Sequence, residues 1–132
     1  MNDATPRGDQ AATISRGMVR LMRKVSGRGP ERARTTIGRD HVLVMLRETL
    51  TEGERNLIAA NRRDEVEALR SAYQELLRDE ATKLIEETLY RSVIGFMSAN
   101  HFDPDLAAEL FILEPSEKPP PDVPQEAEHA EG

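Results

Sequence analysis

A chain of 132 residues can hold one hydrophobic core and is too short for two ordinary domains. It has no cysteine, which removes disulfides, thiolate metal sites and cysteine nucleophiles together and fits a reducing, cytoplasmic setting. It has no tryptophan and only 2 tyrosines and 3 phenylalanines, so the core must come from Leu, Ile, Val, Met and Ala; the net charge is −6.

That charge is unevenly spread. Residues 1–47 carry ten Lys or Arg against four Asp or Glu, a net of +6, while residues 48–132 carry eight against twenty, a net of −12. Such a division supplies complementary surfaces between subunits, a local anion site on an acidic protein, or solvated helix faces. The opening "MNDATPRGDQAATISRG" has no apolar stretch behind a basic start, so no secretory signal is expected. The apolar runs "VLVML" and "VIGFM" fall far short of the roughly 20 residues of a spanning helix, so no membrane insertion is expected.

Residues 1–10 are polar, with Pro and Gly, and are expected to be disordered. From Ala11 to Val25 the residues Ile14, Met18, Leu21, Met22 and Val25 recur three and four apart, one face of a helix. Gly27 stands where a helix end favours a left-handed residue, Arg23 and Lys24 suit the last turn, and Gly29-Pro30 forbids continuation. In "RTTIGRDHVLVMLRE" Thr35 and Ile37 begin a strand, residues 38–40 turn, and His41 to Arg47 return. Val42, Val44 and Leu46 share one face and Leu43 and Met45 the other, which predicts a hairpin partly covered on both faces. Thr51 with Glu54 three residues on is a capping box that opens a short helix.

Residues 62–90 hold the longest periodic stripe, Val66, Leu69, Tyr73, Leu76, Leu77, Ala81, Leu84, Ile85 and Leu89, with no Pro or Gly inside it. A helix of that length spans about 40 Å, more than a small sheet covers. Part of the stripe (Val66, Leu69, Tyr73, Leu76) is therefore expected at a homodimer interface. "SVIGFMSAN" and "AELFIL" read as two more strands joined around Asp103-Pro104, and the Pro- and Glu-rich residues 115–132 are expected to be disordered. The prediction is one α+β domain over residues 11–114: an antiparallel sheet of about four strands in two hairpins, with an N-terminal helix, a short helix and one long helix packed on it.

Chemistry is sparse. His41 and His101 sit at strand ends and His129 in the tail, with no serine in an elbow, so no catalytic residue is expected. Asn100, His101, Asp103 and Asp105 in "NHFDPD" have ligand chemistry but turn composition and no metal-loop spacing, so neither metal nor cofactor is expected. Glu86 and Glu87, like Asp79 and Glu80, are helix neighbours that point to different sides. Seven basic residues from Arg16 to Arg34 lack an interleaved aromatic and match no common motif, so nucleic acid is not favoured. "SGRGPERARTTI" lacks the Walker lysine and follows a helix instead of a strand. Two readings of it stand side by side. Glycine amides with Arg28, Gly29, Arg32 and Arg34 hold a small anion or meet an acidic partner, or the glycines make a corner and the arginines pair with glutamates of the long helix.

Gly27-Arg28-Gly29-Pro30, Arg34-Thr35, the apolar strand 42–46, Leu50-Thr51 with Glu54 and Arg55, and the Arg/Glu-rich helix bearing Arg70 together resemble the MpsC-type domain, from about Ile14 to Leu113. That family tends to have a glycine-arginine pair ahead of the long helix, where this chain has "NRRDE", and Thr-Gly before the third strand, where it has "LYRSV". The resemblance implies a soluble, non-enzymatic accessory or regulatory protein of a sodium- or inorganic-carbon-linked, membrane-potential-generating transport system. Its expected partners are a second copy and a membrane transport protein or other acidic-surfaced protein. The alternative is a sensor of bicarbonate, phosphate or a nucleotide through Arg28, Arg32 and Arg34.

Overall fold

The computed structural model describes residues 6–115; the expectations of disorder for residues 1–5 and 116–132 lie outside the described residues. Seven elements follow one another: α1 (Pro6–Ser26), β1 (Arg32–Ile37), β2 (His41–Arg47), α2 (Glu52–Ala59), α3 (Arg63–Leu89), β3 (Val93–His101) and β4 (Leu106–Leu113). Residues 6–10, expected to be disordered, are instead the first turns of α1. Pro6 suits a first helical position, where an N–H would have no partner. Arg7 Nη1 donates to Ile37 O at 2.7 Å and Gln10 Nε2 to Thr88 O at 3.2 Å, so these turns are fastened to the ends of β1 and α3.

The helix ends follow the local chemistry. Gly27 takes φ +82° and donates its N–H to Arg23 O at 2.8 Å, closing α1. At the start of α2 the Thr51 hydroxyl accepts from Glu54 N, and the Glu54 carboxylate accepts from Thr51 N at 2.8 Å.

The four strands form one antiparallel sheet in the order β1-β2-β4-β3, so the second hairpin inserts β4 against β2 and leaves β3 at the edge. Side chains alternate across the pleat. Val42, Val44 and Leu46 of β2 and Ala107, Phe111 and Leu113 of β4 point inward, where α1 supplies Ile14, Met18 and Met22 and α3 supplies Leu77, Ala81 and Ile85. The two helices touch closely at Gly17, where a Cβ would lie 2.6 Å from a methyl of Leu84. A second, smaller cluster gathers Leu50, Val66 and Phe102 beneath α2.

The opposite face of the sheet has a different fate. Leu43 pairs with Leu110, Met45 with Ala108 and Met97 with Leu110, a row of apolar side chains pointing away from the helices. The hairpin was expected to be partly covered on both faces; among the described residues both long helices pack on the inner face, and the outer one has no second layer. Its central side chains are half-buried only by their neighbours in the sheet.

Candidate functional site

The inner layer contains a charged stratum. Arg70, on the buried face of α3, donates from Nη2 to Glu54 Oε1 at 3.0 Å and to the Thr49 hydroxyl at 3.1 Å, with both charged side chains 2% exposed. Asp105 accepts from Thr49 N, the Thr49 hydroxyl and Leu50 N at 3.0–3.1 Å, stitching the start of β4 to the loop between β2 and α2. Glu109, fully buried on β4, faces the same region opposite Ser98. Burial pushes its carboxyl up to about 7; the Ser98 hydroxyl beside it and the Arg70 charge only partly oppose this. Burial likewise raises the Tyr73 hydroxyl, with Glu54 adding and Arg70 opposing. Glu54 Oε2, Arg70 Nε, Ser98 Oγ and Glu109 Oε1 are buried without a partner. This stratum lies between the two apolar clusters and joins α3 to the start of α2.

The outer sheet face is open to other molecules among the described residues. Arg32 of β1 and Arg47 of β2 are direct cross-strand partners, and Arg34 follows two residues on, opposite Met45. All three are exposed, and none of their guanidinium groups makes an ion pair or hydrogen bond among the described residues. Like charges directly opposite one another destabilise a sheet. The corner they form is thus an unneutralised cationic patch beside an apolar field of Leu43, Met45, Leu110 and Met97, with a shallow hollow of about 310 Å³ between Met45, Ala99 and Leu106.

The sequence-predicted residues divide. Arg32 and Arg34 lie together on this face, whereas Arg28 pairs with Glu31 at 3.6 Å and its loop is closed by Ser26 Oγ, which accepts from Arg28 N and sits 2.9 Å from Arg28 O. Gly29 is packed beneath the Arg23 guanidinium. The loop carries the chain from α1 into β1, and among the described residues none of Arg28, Arg32 and Arg34 pairs with a glutamate of α3. On α3, Val66 is fully buried in the second cluster of its own chain. Leu69 and Leu76 are 38% and 69% exposed, with Tyr73 half-buried between them. His101 ends β3 and Asp103 and Asp105 lie in the turn that follows, with His101 Nδ1 2.8 Å from Pro104 O, and no group of three potential metal ligands occurs among the described residues.

The family profile described as Na+-translocating membrane potential-generating system (MpsC) matches residues 7–115, most of the chain. The chain belongs to the MpsC family. No curated protein and no solved structure gives a significant match. In this MpsC domain, no described helix is long and apolar enough to cross a membrane. Its family description links it to a Na+-translocating, membrane-potential-generating system.

Proposed function

We propose that this MpsC domain is a soluble, non-enzymatic accessory module of the membrane-potential-generating system, acting by protein–protein contact through the outer face of its sheet. The observation that carries the reading is the apolar field that, among the described residues, has no second layer and is flanked by Arg32, Arg34 and Arg47, none of them paired with a carboxylate there. The occupant that fits is an acidic, apolar surface on a transport protein: leucines and methionines supply area, and the arginine corner fixes orientation and speeds encounter. A lipid surface fits less well, because no aromatic side chain projects from this face and the whole chain carries −6.

The test is complementation. Cells lacking the gene are given wild type, an Arg32→Glu/Arg47→Glu variant or Leu110→Glu, and membrane potential is read with a cationic dye. Circular dichroism and melting establish that each variant folds. Folded variants that fail to restore the potential support the reading; full restoration by both overturns it.

A second reading keeps one specific observation, three guanidinium groups on adjacent strands, and makes the corner a receptor for a small oxyanion. Bicarbonate, phosphate, sulfate or a nucleotide at a hundred times its dissociation constant would stabilise the fold by about 2.7 kcal/mol. A saturable thermal shift with one of them, lost in a folded Arg47→Ala, is the result this reading requires.

A further inference from the structure

The two edges of the sheet differ in a way the docking reading does not use. β1 is six residues long and carries Arg32 and Arg34, the kind of charge that keeps an edge strand from pairing. β3 is nine residues long, "VIGFMSANH", with neither an acidic or basic Lys/Arg-type charge nor a proline. Its one irregularity falls between Val93 and Gly95, so residues 95–101 run in regular register along β4 and present a free edge on the other side. Ile94 and Met97 are 62% and 52% exposed along it. Such an edge is a template for another strand.

We propose that the strand it takes is β3 of a second copy, joined antiparallel about a two-fold axis so that two four-stranded sheets become one of eight. The flanking helix argues for a copy of this chain over a foreign strand. Glu75, Arg78, Thr82 and Glu86 follow one another at spacings of three and four on α3, and Arg78, Thr82 and Glu86 line the cleft of about 300 Å³ above β3. The Arg78 guanidinium lies 5.7 Å over the Phe96 ring and makes no ion pair among the described residues. A two-fold axis along this edge lays a second α3 antiparallel beside the first and sets each Arg78 against acidic side chains of the other copy. One helix flank carrying both signs is complementary to itself. The pairing leaves the arginine corner at each far end of the joined sheet and keeps the outer face open, so it holds whether or not a partner docks there.

The chain has no cysteine, which makes a single introduced thiol a clean reporter. The full chain is sized by sedimentation as wild type, Met97→Lys, and Leu69→Glu/Leu76→Glu, and Met97→Cys is treated with a short bismaleimide. The expected pattern is a wild-type dimer, at least tenfold weaker in Met97→Lys because two ammonium groups meet across the axis. The helix variant should dimerise as wild type does, and Met97→Cys should cross-link to a dimer. Because Met97 is half-exposed, both of its variants should keep the monomer fold, which melting checks. A wild-type monomer at the highest attainable concentration overturns the proposal. So does a dimer lost in Leu69→Glu/Leu76→Glu but kept in Met97→Lys, which would return the interface to the α3 stripe. A dimer in which Met97→Cys fails to cross-link overturns it as well.

Discussion

Glu54 Oε1 serves two masters: it accepts the Thr51 N–H that caps α2, and it accepts from the Arg70 guanidinium, which comes from a helix sixteen residues further along. One carboxylate thus holds the start of α2 and docks it on α3. Removing either member of a buried pair leaves an uncompensated charge and costs about 3–5 kcal/mol. Arg70→Leu should lose that much in urea unfolding. Arg70→Leu/Glu54→Leu should lose clearly less than the sum of the two single changes, the remainder being chiefly the cap, about 1 kcal/mol.

Glu109 makes stability depend on pH. Its carboxyl titrates near 7 when folded, against an ordinary value of 4.5. Between those values the folded chain keeps a proton that the unfolded chain has lost, so stability falls as pH rises through this window and levels off above it. A shift of that size corresponds to about 3 kcal/mol at most. Glu109→Gln should therefore be more stable than wild type at pH 8, by about 1–3 kcal/mol, and close to it at pH 4.5. Urea midpoints at the two pH values check both the size and the sign.

Asp105 ties Thr49 and Leu50 to the turn before β4 through three hydrogen bonds to one carboxylate. Bonds to a charged acceptor contribute about 1.5–3 kcal/mol each and do not add fully. Asp105→Ala should cost about 3 kcal/mol, with Asp105→Asn in between, read by the same unfolding measurement.

Tyr90 ends α3 in the left-handed region at φ 57° while its side chain is 88% exposed. A side chain there pays a steric penalty of about 1 kcal/mol that glycine escapes. Tyr90→Gly should raise the melting temperature by a few degrees.

Asn61 and Tyr90 also show what sequence alone could and could not convey. Both take positive φ, 67° and 57°. Asparagine is among the side chains that visit the left-handed region most readily, whereas nothing local announces that Tyr90 does so. The pleat of β2, the capping box at Thr51 and the helix stop at Gly27 were legible because each depends on neighbours within a few residues. The meeting of Arg32 with Arg47 needs the hairpin register, and Asp105 finds Thr49 across 56 residues of chain. Arg70 and Glu109 look like ordinary surface charge in a charged helix and a polar break in a strand; only the packing of α3 on the sheet puts them inside. Alternation in "HVLVMLR" gives two apolar faces and cannot say that one of them has no layer over it.

The ionic stratum around Arg70 also divides the molecule into unequal cooperative units. On one side stands a cluster of twelve buried residues drawn from both long helices and the sheet, on the other only Leu50, Val66 and Phe102 with α2 over them. A region with so few apolar contacts opens at a lower free energy than the whole. Native-state hydrogen exchange should find the amides of α2 and the first turns of α3 trading with solvent in a sub-global event, while those of β2 and β4 wait for complete unfolding.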